Sequence, residues 1–177
     1  MKLIKLKIEG LFLIEHEFFE DKRGLFRRSF CNQELKKNGI NFEVKQGNIS
    51  ENYNKYTMRG FHFQKDSIEE AKIITCLTGA IYNVVIDLRK HSKTYQKSEA
   101  VNLDCVKRYS LLVPGGCANA FLTLENNTIV HYYMNDYFKP ANYSGFRYND
   151  PYFDINWPHQ PLYISEKDKN FSDYHYE

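Results

Sequence analysis

The sequence has no apolar run that approaches the length of a membrane span. Its first seven residues mix apolar and charged side chains, so the long apolar core of a signal peptide is missing as well. Both absences point to a cytoplasmic protein with no membrane partner. Charge of one sign is not in excess either. Lys and Arg number 24 against 22 Asp and Glu, a net charge of +2, and the two signs are mixed along the chain. No basic stripe tracks a phosphate backbone, so nucleic acid is not an expected partner, and Arg27-Arg28 and Lys36-Lys37 read as solvated faces. Cysteine is sparse: Cys31, Cys76, Cys105 and Cys117 are scattered, with no CxxC pair and no disulfide framework. They read as reduced thiols in strands or core. Linkers, repeats and low-complexity segments are missing too, so residues 1–177 read as one domain.

What the sequence does have is aromatic side chains, 16% of the residues with 14 Tyr and 13 Phe, as in β-rich folds and in pockets that grip flat or sugar-like ligands. Strand signals dominate. Residues 11–17 and 25–30 flank the turn Glu20-Asp21-Lys22-Arg23-Gly24. Further strands are expected at 42–46, 58–64, 71–78, 81–88, 98–102, 109–113, 120–123 and 129–134, with Gly79 and Pro114-Gly115-Gly116 as turns. One short helix is expected at 32–38, capped by Asn32 and ended by Gly39, with a helical turn near Ser165 in a tail that wraps the barrel. The class is therefore all-β, a sandwich or jelly-roll barrel with a few short peripheral helices.

One stretch carries chemistry. Arg59-Gly60-Phe61-His62-Phe63-Gln64 sets a histidine in an aromatic strand directly after a polar segment. Strand alternation places Gly60, His62 and Gln64 on one face and Arg59 on the other. A catalytic histidine needs a partner on its second ring nitrogen, and spacing alone does not choose which carboxylate supplies it. Barrels that hold a metal often use a His-x-His pair. Here the second position is Gln64 and His131 has no companion, so no metal is expected. Lys72 follows Glu69-Glu70 and opens an apolar strand. Tyr132 and Tyr133 are adjacent, so one of them faces inward. Asp168 stands in the polar run Ser165-Glu166-Lys167-Asp168. Lysines, tyrosines and aspartates in such places are ordinarily solvated or structural. Together, base, cation, phenol and carboxylate are the parts needed to move a proton on a carbon next to a carbonyl.

The chain resembles the dTDP-4-dehydrorhamnose 3,5-epimerases, metal-independent cupins of nucleotide-sugar biosynthesis, nearly end to end. The resemblance is carried by Phe19-Glu20-Asp21-Lys22-Arg23-Gly24-Leu25-Phe26, Gln46-Gly47-Asn48-Ile49-Ser50, the His62 stretch, Lys72, Val85-Ile86-Asp87-Leu88-Arg89, Val113-Pro114-Gly115-Gly116, Asp136-Tyr137-Phe138-Lys139-Pro140, Tyr148-Asn149-Asp150-Pro151 and Ser165-Glu166-Lys167-Asp168, in this order. It implies a cupin-type jelly roll with no cofactor and a nucleotide-sugar substrate. In roles, it implies His62 as base paired with Asp168, Tyr132 as acid on the opposite face of the sugar, and Lys72 at the enolate oxygen. Arg59 and Arg23 would grip the pyrophosphate, while Gln46, Asn48 and Tyr137 would line the substrate pocket. A homodimer is also implied, in which Phe19 and Arg23 act across the interface.

Three positions depart from the family pattern. Asn119 stands where a histidine is usual, Asn83 where an aspartate is usual, and Arg28 where a glutamate is usual. The first two exchange titratable groups for amides and are expected to be neighbours. Such changes fit a member specialised in its nucleotide (GDP rather than dTDP), in its sugar (hexose or heptose), or in inverting C3 alone. A non-catalytic nucleotide-sugar-binding cupin is the competing class.

Overall fold

The structure, a computed structural model, describes residues 1–65 and 70–175. Among these residues thirteen strands form two facing sheets and one separate hairpin. The first sheet has the order β1 (Lys2–Lys5), β2 (Phe12–Glu15), β10 (Ser110–Val113), β7 (Lys72–Thr78), β12 (Thr128–Met134), β5 (Gln46–Asn52). The second has the order β13 (Tyr143–Gly145), β6 (Met58–Gln64), β11 (Cys117–Thr123), β8 (Ala80–Asp87), β9 (Ser98–Asp104). From β5 onward the chain passes back and forth between the sheets. Residues close in sequence therefore face each other across the interior, which is the cupin-type jelly roll.

Alternation along the strands sorts side chains into three apolar layers. Ile74, Cys76, Ile81, Val85, Leu111, Phe121 and Val130 meet between the sheets. On the outer side of the first sheet, Ile14, Ile73 and Leu112 pack under Leu35 and Phe42. On the outer side of the second, Met58, Phe61, Val84 and Leu122 pack under Phe146, Phe153 and Trp157 from the C-terminal segment. Strand β11 is buried along its whole length, so Ala118-Asn119-Ala120-Phe121-Leu122 reads as a nearly continuous apolar run. Each fully buried aliphatic or aromatic side chain here contributes about 1.5–3 kcal/mol.

Several elements differ from expectation. Residues 42–45 are not a strand. Phe42 drops into the outer apolar layer, and the edge strand is the polar run Gln46–Asn52, paired with β12 over seven positions. An edge strand with one solvated face needs no apolar pattern, and Gly47, Ile49 and Glu51 point outward. Helix α1 spans Asn32–Lys37, but its cap position is Cys31, which makes no side-chain capping bond. The chain enters in extended form at Cys31, which puts Asn32 inside the first turn, where its side chain cannot cap. Strands β1 and β13 were not expected. Each is short and held by a neighbouring strand rather than by its own pattern.

Candidate active site

The interior between the sheets opens into a cavity of about 380 Å³. That volume lies within the usual range for small-molecule sites. Its walls come from both sheets: Arg59, His62 and Gln64 on β6 and Asn119 and Phe121 on β11 face Lys72 and Ile74 on β7 and Val130, Tyr132 and Met134 on β12.

A β-bulge aims the second sheet's contribution. On β6 and β11, Asn119 pairs with His62 but Phe121 pairs with Arg59, so three steps on β6 oppose two on β11. The extra residue breaks the alternation, and Arg59 and His62 line the same cavity instead of opposite faces. Gly60 sits inside the bulge at φ +108°. A Cβ there would lie 2.5 Å from the Asn119 carbonyl oxygen and 2.8 Å from Ala120. Only glycine fits both the backbone angle and the approach.

His62 donates from Nε2 to Asp168 Oδ1 at 2.8 Å. The neutral imidazole then carries its lone pair on Nδ1. Asp168 belongs to α2 (Glu166–Lys169), whose N-cap is Ser165; the Ser165 hydroxyl accepts from the Asp168 N–H at 3.0 Å. The Gly60 N–H also donates to Asp168, at 3.2 Å. Burial by itself would raise the Asp168 carboxyl, but the bonds from His62 and Gly60 outweigh it and hold the group below its ordinary value. The carboxylate thus stays ionised beside the imidazole.

Across the cavity, burial raises the Tyr132 phenol, with the Glu70 charge adding and Arg59 opposing. A phenol held in its protonated form can donate a proton and is slow to lose one without a stronger base. Lys72 Nζ pairs with Glu70 Oε1 at 2.8 Å, both well buried, and Glu70 also accepts from Gln64 Nε2. Arg59 Nε donates to Asn52 Oδ1 at 2.7 Å. Asn119 Nδ2 donates to Asn83 Oδ1 at 3.0 Å, so the two amides are neighbours as expected. Asn83 lies fully buried behind the wall.

His62, Asp168, Lys72, Tyr132, Arg59 and Asn119 are thus brought to one place. Other candidates lie elsewhere in the chain. Gln46 accepts from the Phe138 N–H, and Asn48 Nδ2 reaches Met134 Sδ at 3.4 Å, both near the cavity rim. The Tyr137 side chain is exposed, while its carbonyl accepts from Gln64. Arg28 pairs with Glu34 of α1 at 2.8 Å, at the surface. Arg23 pairs with Asp21 at 2.6 Å in the hairpin of β3 (Phe18–Asp21) and β4 (Gly24–Arg27), and Phe19 is 75% exposed there. Glu69 lies outside the described residues.

Two residues of the site have no signal in the sequence. Glu70 appears only as part of an acidic pair, with nothing to show that its side chain turns inward to Lys72. Tyr143 lies on the three-residue β13, too short to show a pattern. Its ring stands 5.2 Å from that of His62 and lines the cavity. Burial raises its phenol strongly, with the charge of Asp168 adding. A second, more open cavity of about 540 Å³ lies behind the dyad and shares Arg59, His62 and Tyr143 with the first.

The sequence profile of the family described as dTDP-4-dehydrorhamnose 3,5-epimerase matches residues 5–175. The dTDP-4-dehydrorhamnose 3,5-epimerase of Methanothermobacter thermautotrophicus is 34% identical over 173 residues, covering 96% of this chain and 92% of that one. Among solved structures, the dTDP-4-dehydrorhamnose 3,5-epimerase of Bacillus anthracis with TDP and PPi bound superposes with a TM-score of 0.94 at 35% identity, covering 98% and 99% of the two chains. The Legionella pneumophila dTDP-6-deoxy-D-glucose-3,5-epimerase, in complex with dTDP-4-keto-L-rhamnose, superposes with a TM-score of 0.88 at 29% identity, covering 94% and 89%. With sequence and fold matched over nearly their whole length, the chain belongs to the dTDP-4-dehydrorhamnose 3,5-epimerase family and is an isomerase of that class.

Proposed function

We propose that this chain inverts C3, C5 or both in a nucleotide-linked 4-keto-6-deoxy sugar by proton removal and return through an enolate. The observation that carries the reading is His62 on one sheet, paired at 2.8 Å with Asp168 of α2, facing Lys72 and Tyr132 on the other sheet. A ketone at C4 acidifies the hydrogens on both neighbouring carbons. His62 takes one of them through Nδ1, while Asp168 orients the ring and stabilises the imidazolium. Charge moves to the C4 oxygen, where the Lys72 ammonium meets it; a preorganised cation in a water-poor site is worth several kcal/mol. Tyr132 returns a proton from the opposite face, and the centre inverts. Base and acid must stand on opposite sides of the sugar, which two facing sheets provide.

The substrate assignment is supported by the nucleotides and sugar nucleotide named in the relatives' structures. Arg59, with its guanidinium at the rim, is the residue for the pyrophosphate. We also propose a homodimer: Phe18, Phe19 and Phe26 expose their rings on the β3–β4 hairpin, and among the described residues Arg23 beside them has only Asp21 as an ion-pair partner. A partner's cavity is the natural place for that arginine. The two sheets enclose a common interior, which supports one domain. The four free thiols suit a reducing cytoplasm, and no helix among the described residues is long and apolar enough to cross a membrane.

The test is proton NMR in D₂O with dTDP- and GDP-linked 4-keto-6-deoxy sugars. Deuterium entering at C3 and C5 is the expected result, and the faster donor names the nucleotide. Entry at one carbon makes the enzyme a mono-epimerase. Tight binding of a donor with no exchange would overturn the catalytic reading.

A further inference from the structure

Strand β11 sets Asn119 directly beside His62 in the ladder and in the wall of the same cavity. An asparagine amide has two donors on its nitrogen and one accepting oxygen. Here both donors are used on the side away from the substrate. Nδ2 donates to the Val84 carbonyl oxygen at 3.0 Å and to Asn83 Oδ1 at 3.0 Å. The Val84 oxygen belongs to the backbone and can only accept. Turning the Asn119 amide over would press oxygen against oxygen, so the carbonyl of β8 fixes which way the amide points. Asn83 follows suit. Its oxygen is drawn to Asn119, and its own Nδ2 is left buried without a partner among the described residues. The pair tolerates that orphaned donor, a costly feature in a core.

We propose that Asn119 offers Oδ1 to the cavity as an acceptor and reads a ring hydroxyl on the C2–C3 edge of the sugar, an inference that rests on the epimerase reading above. An accepting oxygen repels the enolate oxygen, so the C4 carbonyl must turn toward Lys72 on the other sheet. What meets Asn119 has to be a donor next to the carbon that His62 deprotonates. Of the two carbons flanking the ketone, C5 bears the ring oxygen and the C6 methyl, and neither donates. The C3 side bears hydroxyls. A histidine at this position would offer an N–H or, when protonated, a charge. Asn119 offers neither and does not titrate, so it selects for the hydroxyl by hydrogen bonding alone.

The experiment compares deuterium wash-in for a dTDP- or GDP-linked 4-keto-6-deoxyhexose, whichever exchanges faster, with its 2-deoxy and 3-deoxy analogues. The enzymes are the unaltered protein, Asn119→Ala and Asn119→Asp. The unaltered enzyme is expected to lose about tenfold in kcat/KM on one of the two analogues, the size expected when a buried acceptor is left unpaired. In Asn119→Ala that discrimination disappears. In Asn119→Asp, whose second oxygen faces the Val84 carbonyl and Asn83 Oδ1 in place of the anchoring N–H groups, the amide's set direction is lost and the discrimination is expected to fall with it. Equal rates on all three sugars by the unaltered enzyme would overturn the inference while leaving the epimerase reading intact. So would discrimination that persists in Asn119→Ala, the mark of a merely structural residue. Failure of the parent sugar to exchange at all would remove the epimerase reading, and the role of Asn119 with it.

Discussion

Two buried aspartates divide the work of this molecule between them. Asp87, at the end of β8, is fully buried and accepts from Arg89 Nε at 2.8 Å, Arg89 Nη2 at 2.8 Å, Ser92 Oγ at 2.6 Å, Thr94 Oγ1 at 2.6 Å and the Arg89 N–H at 3.0 Å. Asp168 is 5% exposed and accepts from the Gly60 N–H and the His62 ring. Asp87 is saturated by an arginine, which keeps its charge, and by two hydroxyls, so its neighbourhood has nothing to give to a ligand. Asp168 is bonded to a single titratable ring that faces a cavity. Burial and charge are alike in the two places. The difference is whether the donor can change its protonation state, and that separates a carboxylate that closes a loop from one that, in the proposed mechanism, serves a base.

Exchanging the two carboxylates for amides breaks the comparison most directly. Asp168→Asn is expected to lower kcat about 10³-fold, because the amide no longer holds the imidazole in its working tautomer or steadies its charged form. Thermal melting should show a small change beside it, and His62→Asn should bind substrate without turnover. Asp87→Asn reverses the pattern. Unfolding in urea should show a loss of about 3 kcal/mol, since Arg89 is left buried without its counter-charge, while kcat of the folded enzyme stays near its original value. A variant at Asp87 that kept its stability and lost turnover would contradict this division.

Acid sharpens the same contrast. The Asp87 carboxyl is lowered from 3.8 to about 2: burial pushes it up, and the bonds from Arg89, Ser92 and Thr94 more than reverse that. A depressed folded value contributes stability above the ordinary value and loses it as pH falls through the folded one. Stability should therefore fall between about pH 4 and pH 2 by about 2 kcal/mol, and Asp87→Asn should flatten that slope. Asp168 is lowered as well, so its contribution has the same sign. The smallest effect is expected at Glu70. Glu70→Gln removes the partner that holds Lys72, and kcat should drop by about threefold to tenfold with KM little changed, read from wash-in kinetics. A large rise in KM instead would place Glu70 on the substrate.

Much of the jelly roll was legible because buried strands announce themselves. Residues 81–88 and 129–134 carry β-branched and aromatic side chains that only a half-buried or buried ribbon uses well. The edges were not. The Gln46–Asn52 strand is polar because its ladder has a neighbour on one side only, and β13 is three residues held by β6. In the site, resemblance brought His62, Lys72, Tyr132 and Asp168 together across the sequence, and spacing alone could not have done so. Strand alternation put Arg59 on the wrong face, because a bulge is a property of two strands in register and neither one shows it alone. Glu70 and the direction of the Asn119 amide are set by contacts made only in the folded state.

The dyad has a temporal side. His62 and Asp168 stand 106 residues apart in the sequence, the base in the sixth strand and its partner in a four-residue helix in the C-terminal segment. A chain emerging from the ribosome therefore displays its histidine long before the aspartate has been synthesised. During that interval the jelly roll can begin to assemble, but its imidazole lacks a counter-ion and acts as an ordinary side chain. On the proposed mechanism, chemistry switches on when the tail docks, so a chain cut short before residue 168 is expected to be a scaffold with an idle histidine.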